Sequence, residues 1–397
     1  PVLFDTNLIA EYVIKFNIDI IFIAIPSASV AEMRRIVEAC EKAHVGFKTL
    51  PSVKELLSES VSKGNLRDVA IADILGRDSV NLNWERIQAS LAGKRILVTG
   101  GGGSIGSELC RQLARIVPEL LIIYDQSEFN LYQINSALQN DFPDLQHRAI
   151  LGSVVDRTSL EEVIRREKPN VIFHAAAYKH VPLLEHQTLA AVTNNLIGTK
   201  NVAELALAEG VERFVLISTD KAVNPTNVMG ATKRAAEILC QNLNTESEHT
   251  SFITVRFGNV LDSAGSVVPL FRKQIEAGGP ITVTHPEITR YFMTIPEACR
   301  LIMKAEAVGS GGEIYVLDMG QPIKISYLAE QMIQLSGLAV GSDIKIEYIG
   351  LRAGEKLHEE LFHEQESLQG TGFEKLFLAK ARRYEQDCWE SKMNNLL

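Results

Sequence analysis

The chain has 397 residues, of which 46% are hydrophobic, and this is enough material for two or three domains. Its net charge is −9 and no segment is dense in lysine and arginine, which argues against nucleic-acid binding. Five scattered cysteines have no C-x-x-C or metal-ligand spacing, so we expect reduced thiols and no metal site. No segment reaches the ~18 consecutive apolar residues of a membrane span. Because the chain also begins without methionine, we expect a soluble fragment of a longer protein.

Residues 1–55 are predicted to form a partial Rossmann-like α/β unit. The pattern indicates, in order, a helix, a strand, a helix and a strand at residues 7–16, 18–24, 30–43 and 45–50. This order lacks the first strand and glycine turn of a complete nucleotide site, so we interpret it as the tail of a separate unit. Residues 56–90 are polar and mixed, and we predict a linker there.

Apolar strands alternate with helices from residue 91 to residue 261. The predicted strands are 96–99, 120–124, 149–151, 171–175, 214–218 and 252–256. This alternation predicts an α/β fold with a doubly wound parallel sheet, which binds its ligand at the carboxyl ends of the strands. The spacing becomes irregular after that, and we expect residues 262–397 to form mainly a smaller substrate-binding lobe and a C-terminal tail.

A glycine-rich turn follows the first of these strands and precedes a helix predicted at residues 107–117. Gly100 permits a tight turn, Gly103 lets the backbone approach a pyrophosphate, and Gly106 lets the helix pack close to the strand. A turn of this kind is weak evidence alone, because a purely structural turn can look similar.

An acidic residue supports the nucleotide interpretation. Asp125 ends the second strand, 19 residues after Gly106, where a carboxylate accepts hydrogen bonds from ribose hydroxyls. Gln126 follows at the place where an arginine would suit a 2′-phosphate, so the sequence favours NAD over NADP. The alternative for Asp125 is an ordinary turn residue.

A polar group ends the strand predicted at residues 214–218. Thr219, Asp220 and Lys221 follow Ser218 and are expected at the carboxyl edge of the sheet, beside the nucleotide turn. Lys233 lies on the next helix, on the face that carries residue 229. These residues are catalytic candidates; the alternative is a helix-capping cluster with a surface lysine.

Five motifs together resemble the extended short-chain dehydrogenase/reductase family. They lie at residues 99–106 (TGGGGSIG), 174–182 (HAAAYKHVP), 195–199 (NLIGT), 218–221 (STDK) and 256–260 (RFGNV). More narrowly, residues 93–361 are similar to the large, membrane-anchored bacterial UDP-N-acetylglucosamine 4,6-dehydratases of O-antigen, capsule and protein-glycan synthesis. The resemblance implies an upstream membrane anchor, a location at the cytoplasmic face of the inner membrane, and a homodimer or higher homo-oligomer.

The resemblance also implies a tightly held NAD that is regenerated in each turnover. The residues implied to bind it are Gly100, Gly103, Ser104, Ile105, Gly106, Asp125, Gln126, Ser127, Ser153, Val154, Ala175, Ala176, Asn195, Ser218 and Lys233. Ser153 stands where the family usually has an aspartate that contacts the adenine, so we expect somewhat weaker adenine recognition.

The implied reaction oxidises C4 of the sugar, eliminates water across C5 and C6, and returns the hydride to C6. By resemblance, Lys221 is the C5 base, Asp220 is the acid for the C6 hydroxyl, and Thr219 binds the C4 oxygen. Lys233 is implied to hold the nicotinamide ribose. Met229 occupies the place of the general family's catalytic tyrosine, and a thioether has no proton to give. The large dehydratases share this methionine; which group replaces the tyrosine stays open, with Tyr178 a less favoured candidate.

Substrate contacts are implied by family motif. The residues are Lys179, His180, Asn259, Arg290, Arg352 and Glu355. Arginine forks suit diphosphate oxygens, although a lone arginine in such a lobe can equally be solvated or salt-bridged. We interpret His174 and His358 as structural.

Two other functions are compatible with parts of the pattern. A nucleotide-sugar 4-epimerase begins with the same C4 oxidation, but it would favour a tyrosine at position 229 and has no need of Asp220 and Lys221. A non-catalytic, NAD-binding regulatory protein would explain the missing tyrosine, but not the retained Thr-Asp-Lys trio.

Overall fold

The computed structural model describes residues 5–25, 27–43, 45–50, 67–69, 71–75, 84–363 and 368–379. The chain divides into two compact units, each assembled from three segments. Unit 1 consists of Pro1–Ser79, Gly265–Thr294 and Pro322–Gly350, and unit 2 of Val80–Ala264, Ile295–Gln321 and Leu351–Leu397. These segments do not coincide with the predicted boundary at residue 261, because the chain leaves unit 2 and returns to it twice.

The strands and helices of the described residues are numbered in chain order. The strands are β1 Ile20–Ile23, β2 Gly46–Thr49, β3 Arg67–Asp68, β4 Arg95–Thr99, β5 Leu120–Asp125, β6 His147–Leu151, β7 Val171–His174, β8 Arg213–Ile217, β9 Ser251–Arg256, β10 Asn259–Val260, β11 Ile281–Val283, β12 Thr289–Arg290, β13 Phe292–Met293, β14 Ile314–Leu317, β15 Ile323–Lys324, β16 Ile346–Tyr348, β17 Leu368–Gly370 and β18 Leu376–Ala379. The α-helices are α1 Ile9–Phe16, α2 Val30–Glu41, α3 Ile71–Leu75, α4 Trp84–Leu91, α5 Ser104–Ala114, α6 Glu128–Asp141, α7 Arg157–Glu167, α8 Val181–Glu185, α9 Thr188–Ala191, α10 Gly198–Ala208, α11 Val228–Glu246, α12 Val267–Glu276, α13 Ile295–Val308 and α14 Ile325–Leu335.

Unit 2 contains a nine-stranded sheet in the order β17-β18-β14-β9-β8-β7-β4-β5-β6. The seven strands from β14 to β6 are parallel, and β17 and β18 add an antiparallel pair at one edge. The order reverses direction between β4 and β7, so the carboxyl ends of these two strands flank the crevice where such sheets bind ligands. The predicted doubly wound α/β fold is confirmed.

The core of unit 2 lies on both faces of the central strands. Every residue of β5 is buried, and β4, β7 and β8 each bury four consecutive residues. Parallel strands covered by helices on both faces require continuous apolar runs of this kind. On one face, Val202 and Leu205 of α10 and Leu239 of α11 pack against strand residues. The apolar pattern therefore fixes which strands lie in the middle of the sheet.

The six strands predicted between residues 91 and 261 are all present, as β4 to β9. The three strands β14, β17 and β18 extend the sheet from a part of the chain that we assigned to a separate lobe. They are three or four residues long, and such short apolar runs among glycines carry little periodic signal.

Unit 1 contains the predicted strand–helix–strand order, with β1 parallel to β2 in the register Ile20 to Gly46. Helix α2 begins with a capping box, in which Ser29 and Glu32 satisfy each other's backbone N–H groups. The predicted linker at residues 56–90 contains regular structure as well: β3 pairs with β2, and α3 and α4 follow. In α4, Ile87 and Leu91 are four residues apart and fully buried, so this stretch belongs to the fold of unit 2. Residues 56–66, 70 and 76–83 of that range lie outside the described residues.

Among the helices described, none is both long and apolar enough to cross a membrane.

Candidate active site

The glycine turn forms a phosphate-sized cradle between β4 and α5. Gly100 has φ +66°, and Gly103 precedes the first turn of α5 without any side-chain cap, so the backbone N–H groups there are available to an anion. A methyl group on Gly100 would lie 2.6 Å from the backbone nitrogen of Ala176, and one on Gly106 would clash with the Gly100 carbonyl oxygen. Helix α5 begins at Ser104, three residues earlier than predicted, because the cradle is part of its first turn.

A cleft of about 200 Å³ opens beside this turn. Its predicted lining residues are Gly100, Gly103, Asp125, Gln126, Ser127, Val154, Ala175 and Ala176. Its other lining residues were missed by the sequence analysis and are Tyr124, Asn130, Gly152, Ala177 and Asn194. Most of these five residues are next in sequence to a residue predicted to bind NAD. They could have been found by including every residue that adjoins a predicted one.

Asp125 links the ends of the first two strands of the nucleotide half. Its carboxylate accepts hydrogen bonds from the backbone N–H groups of Gly102, at 2.9 Å, and Ser127, at 2.8 Å. Each carboxylate oxygen has further lone-pair capacity, which leaves room for a ribose hydroxyl. Asp125 is therefore both a structural turn residue and a candidate ribose ligand, so the two sequence interpretations are compatible.

Gln126 and Tyr178 lie together at the mouth of the cleft. The Gln126 amide donates to the Tyr178 hydroxyl at 3.4 Å, and the Ser153 hydroxyl lies 3.5 Å from the Gln126 amide oxygen. Since the Tyr178 hydroxyl is held on the Gln126 side, the arrangement argues against Tyr178 as the substitute for the missing catalytic tyrosine.

The predicted catalytic trio comes together in a single 3₁₀ turn that follows β8. The Thr219 hydroxyl donates to Asp220 Oδ1 at 2.9 Å, and Lys221 Nζ donates to the same oxygen at 3.0 Å. Lys221 Nζ also donates to Asn259 Oδ1 at 3.2 Å. Asp220 is 1% exposed, and its other oxygen, Oδ2, has no hydrogen-bond partner among the described residues. An unsatisfied buried carboxylate oxygen is costly, so it marks a place where a ligand hydroxyl could bind.

Helix α11 carries Met229 and Lys233 and contacts the 3₁₀ turn that contains Asp220 and Lys221. Asn227 caps the helix by accepting from the Gly230 N–H at 2.7 Å, and a side chain at Gly230 would collide with the Lys221 carbonyl. Met229 is buried in a small apolar cluster. Lys233 is buried too, and desolvation lowers its pKa to about 8 although Glu237 opposes this shift.

The Ser218 hydroxyl is turned away from the cleft into a buried ion pair. It donates to Glu237 at 2.7 Å, and Arg256 donates to both oxygens of the same carboxylate, each at 2.7 Å. Burial alone would raise the pKa of Glu237, but the Arg256 guanidinium outweighs it and the pKa is lowered. The hydroxyl of Ser218 is thus used to join β8 to α11; its predicted cofactor contact stays a prediction.

Asn195 and His174 shape the loop that follows β7. The Asn195 amide accepts from the Tyr178 N–H at 2.7 Å and donates to the Tyr178 carbonyl at 2.9 Å, and Asn195 is fully buried within a π-helical turn at Val192–Ile197. His174 lies between the hydroxyls of Thr99, at 2.7 Å, and Thr199, at 2.9 Å. Burial, and then the Lys233 charge, lower the pKa of His174 to about 3. Both side chains therefore hold the cleft wall in place.

The remaining predicted residues lie around this centre. The Ser104 hydroxyl accepts from the Ala264 N–H at 3.1 Å, and the Ile105 carbonyl accepts from the Cys299 thiol at 3.5 Å. Lys179 and His180 are exposed on the loop after β7, whereas Arg290 belongs to unit 1.

Arg352 and Glu355 lie in one turn of the chain near the C-terminal end of unit 2. Arg352 is exposed, and its backbone N–H donates to the Glu355 carboxylate at 3.2 Å. The same segment supplies a residue that the sequence analysis missed: Glu359 Oε1 lies 3.5 Å from Lys221 Nζ. Sequence analysis could not reveal this contact, because Glu359 lies 138 positions from Lys221 in the chain.

The chain matches the family described as polysaccharide biosynthesis protein over residues 96–381. It is 48% identical over 377 residues to the capsular polysaccharide biosynthesis protein CapD of Staphylococcus aureus, covering 95% of this chain and 63% of that protein. The chain thus spans less than two thirds of that relative. It is 33% identical to a Campylobacter jejuni UDP-N-acetylglucosamine 4,6-dehydratase (inverting), covering 69% of this chain and 79% of that protein. With the same coverages it is 34% identical to a Rickettsia canadensis UDP-glucose 4-epimerase.

Solved structures show the same fold. The structure of Pen from Bacillus thuringiensis superimposes with a TM-score of 0.68 at 32% identity, covering 75% of this chain and 92% of that one. The dTDP-glucose 4,6-dehydratase DesIV of Streptomyces venezuelae, solved with NAD, superimposes with a TM-score of 0.60 at 24% identity, covering 67% and 88%. The chain belongs to the family of polysaccharide biosynthesis proteins, within the nucleotide-sugar dehydratases and epimerases of the extended short-chain dehydrogenase/reductase type.

Proposed function

We propose that the protein catalyses the NAD-dependent 4,6-dehydration of UDP-N-acetylglucosamine to a UDP-4-keto-6-deoxy sugar. The observation that carries this proposal is the Asp220–Lys221 pair at the carboxyl edge of the sheet. A buried carboxylate, one oxygen of which has no partner among the described residues, lies 3.0 Å from a lysine ammonium. The turn that carries both groups follows β8, two strands away from β4 and its glycine turn. Dehydration needs both a proton acceptor at C5 and a proton donor at C6, and this pair provides one of each.

The residues around the glycine turn fit the adenosine diphosphate half of NAD. Gly100 and Gly106 leave no room for side chains where the turn is tightest, and Asp125 keeps lone pairs for a ribose hydroxyl. Gln126 carries no charge to pair with a 2′-phosphate, which favours NAD over NADP. NAD bound there would take a hydride from C4 of the sugar and give it back at C6.

The protein's own groups move the protons. Thr219 lies next to Asp220 and would bind the C4 oxygen, with Lys221 taking the proton from C5. Asp220 would protonate the C6 hydroxyl, which then leaves as water. Asp220 must carry a proton when it performs that step.

The 4-epimerase is the second candidate, because a relative of that name is as similar as the dehydratase. The Asp220–Lys221 pair supports dehydration over epimerisation. Both reactions begin with oxidation at C4, but only dehydration needs a base at C5 and an acid at C6, so the pair would have no task in an epimerase. A regulatory protein without catalysis has equally little use for that pair.

The wider setting belongs to the same proposal. Asn259, Arg352 and Glu355 would bind the UDP part of the substrate, and the product would enter surface polysaccharide or glycan synthesis. We also propose a homo-oligomer that is attached, in a longer protein, to the cytoplasmic face of the inner membrane.

Incubation with UDP-N-acetylglucosamine and no added cofactor tests the reaction. We expect a product lighter by one water molecule in mass spectrometry, because NAD would be regenerated within each turnover. A product of unchanged mass with an inverted C4 centre would identify an epimerase. No product, even with NAD added, would contradict both enzymatic readings.

A further inference from the structure

The chain segment 351–360 is fastened to the turn that carries Lys221. Asn227 donates to the Gly354 carbonyl at 3.0 Å, Lys356 donates to the Val223 carbonyl at 3.0 Å, and Asn224 lies 3.3 Å from the Glu360 carboxylate. The carboxylate of Glu359 adds a fourth contact, to Lys221 itself. Together these polar contacts hold segment 351–360 in a fixed position against the turn that carries Lys221.

The Lys221 ammonium is enclosed by oxygens from three different parts of unit 2. Asp220 Oδ1 lies at 3.0 Å, Asn259 Oδ1 at 3.2 Å and Glu359 Oε1 at 3.5 Å. The side chains of Lys221 and Glu359 are only 15% and 3% exposed, so water screens this pair poorly. Two carboxylates face the ammonium: Asp220, on its own turn, and Glu359, on segment 351–360.

We propose that Glu359 is the positioning residue of Lys221: it fixes the direction of the amine and stabilises the ammonium that forms when Lys221 takes the C5 proton. This inference rests on the proposed function, which makes Lys221 the C5 base. The logic is that of a carboxylate behind a catalytic base, which orients the base and stabilises its protonated form. Asp220 cannot serve alone, because it must hold a proton for the leaving hydroxyl at that moment.

The step balances with the groups present. The C5–H bond breaks, its proton binds the Lys221 lone pair, and the electron pair is delocalised onto the C4 ketone. As the C5–C6 double bond forms, Asp220 gives its proton to the C6 oxygen and water leaves. Asp220 is then a carboxylate, Lys221 is an ammonium, and Glu359 has remained a carboxylate throughout.

Competitive labelling with acetic anhydride across a pH series tests the contact without substrate. The midpoint of Lys221 labelling, followed by mass spectrometry, reports the pH at which the amine loses its proton. In Glu359→Gln we expect this midpoint to fall by about one pH unit, because one of two facing negative charges is removed. Glu161→Gln is the control, since Glu161 pairs with Arg165 on helix α7, away from segment 351–360, and should leave the midpoint unchanged. An unchanged midpoint in folded Glu359→Gln overturns the proposal.

Kinetics then separate positioning from folding. We expect Glu359→Gln to lower kcat by at least about tenfold with KM changed less than about twofold, because the base is held less well and not the nucleotide. The acid limb of its kcat profile should move to lower pH, as the labelling midpoint does, and Glu359→Asp should restore part of kcat. A proportional loss at all pH values with a raised KM would indicate a structural role and overturn the proposal. If wild-type protein makes no keto sugar, the proposed function fails, whereas the labelling result still decides whether Glu359 sets the charge of Lys221.

Discussion

At the scale of single residues, the proposed acid and base are neighbours in the chain, and position 229 is a methionine. The 3₁₀ turn after β8 brings the side chains of Asp220 and Lys221 within 3.0 Å of each other. Their proximity could be predicted from the sequence because both groups come from one turn, whereas their catalytic roles stay a proposal.

Replacing either member of the pair should abolish dehydration. We expect Asp220→Asn and Lys221→Met each to lower kcat by about 10²- to 10⁴-fold, the usual contribution of a general acid or base. Product formation measured by NMR or mass spectrometry is the readout. Lys94→Met is a matched control, because Lys94 is a partly exposed lysine that pairs with Glu212 at the amino edge of the sheet. Near-normal turnover in both site variants would refute the assignment.

Lys233 should contribute to turnover while lowering the free energy of unfolding. Its pKa is about 8 in the native state against 10.5 for the free side chain, so between these pH values the unfolded chain binds more protons and the free energy of unfolding rises with pH. Below about pH 8 both states are protonated, and the native state bears the full cost of a buried ammonium.

We therefore expect Lys233→Met to raise Tm by roughly a few degrees at pH 7 while it lowers turnover. Calorimetry at pH 7 and pH 10 should show the gain shrinking with pH, since the wild-type lysine is then neutral in the native state. A variant less stable than wild type at pH 7, by an amount independent of pH, would contradict this account.

Other hydrogen bonds could not be read from the sequence. Ser218 bonds to Glu237 and Asn195 bonds to the backbone of Tyr178, while the cofactor contacts predicted for both residues stay predictions. Glu359 was missed altogether. In each case the partner is distant in the chain, so only the folded packing shows which hydrogen bonds are made.

At the scale of elements, the glycine turn was predictable because its requirement is local. The strand, the turn and the start of the helix occupy twelve consecutive residues at 95–106. The positions with no room for a side chain are glycines, which can be recognised in the sequence. The start of helix α5 was predicted three residues too late. The helix begins at Ser104, because Gly103 is its N-cap. The extra strands β14, β17 and β18 depend on pairing with distant partners, which short apolar runs do not reveal.

Gly106→Ala should weaken NAD binding. The new methyl group would collide with the Gly100 carbonyl oxygen, so the helix must move away from the strand and the cradle opens. Isothermal titration with NAD is expected to show at least about a tenfold weaker Kd, because misplaced N–H groups lose the pyrophosphate contacts. Gly46→Ala is the control, since a methyl group there would meet no atom within 4 Å. Unchanged affinity in Gly106→Ala would show that the cradle does not hold the cofactor.

At the scale of the whole molecule, the proposed catalytic groups lie within unit 2 although that unit is discontinuous in sequence. The glycine turn, the turn of Asp220 and Lys221, and segment 351–360 all belong to it, while residues 265–294 and 322–350 form part of unit 1. The chain first leaves unit 2 at Ala264, close to the predicted boundary at residue 261, but composition alone does not show that residues 295–321 and 351–397 return to it. The parallel sheet itself was predictable, since its strands and helices alternate without long gaps.

The most direct test of the central claim is NMR of UDP-N-acetylglucosamine turned over in D₂O without added cofactor. Elimination through a C5 carbanion predicts a 4-keto-6-deoxy sugar that carries deuterium at C5, because the proton returned there exchanges with solvent through Lys221. The same spectrum gives the configuration at C5. A C4-epimerised sugar that retains its C6 hydroxyl and its C5 proton would contradict the account and assign the protein to the epimerases.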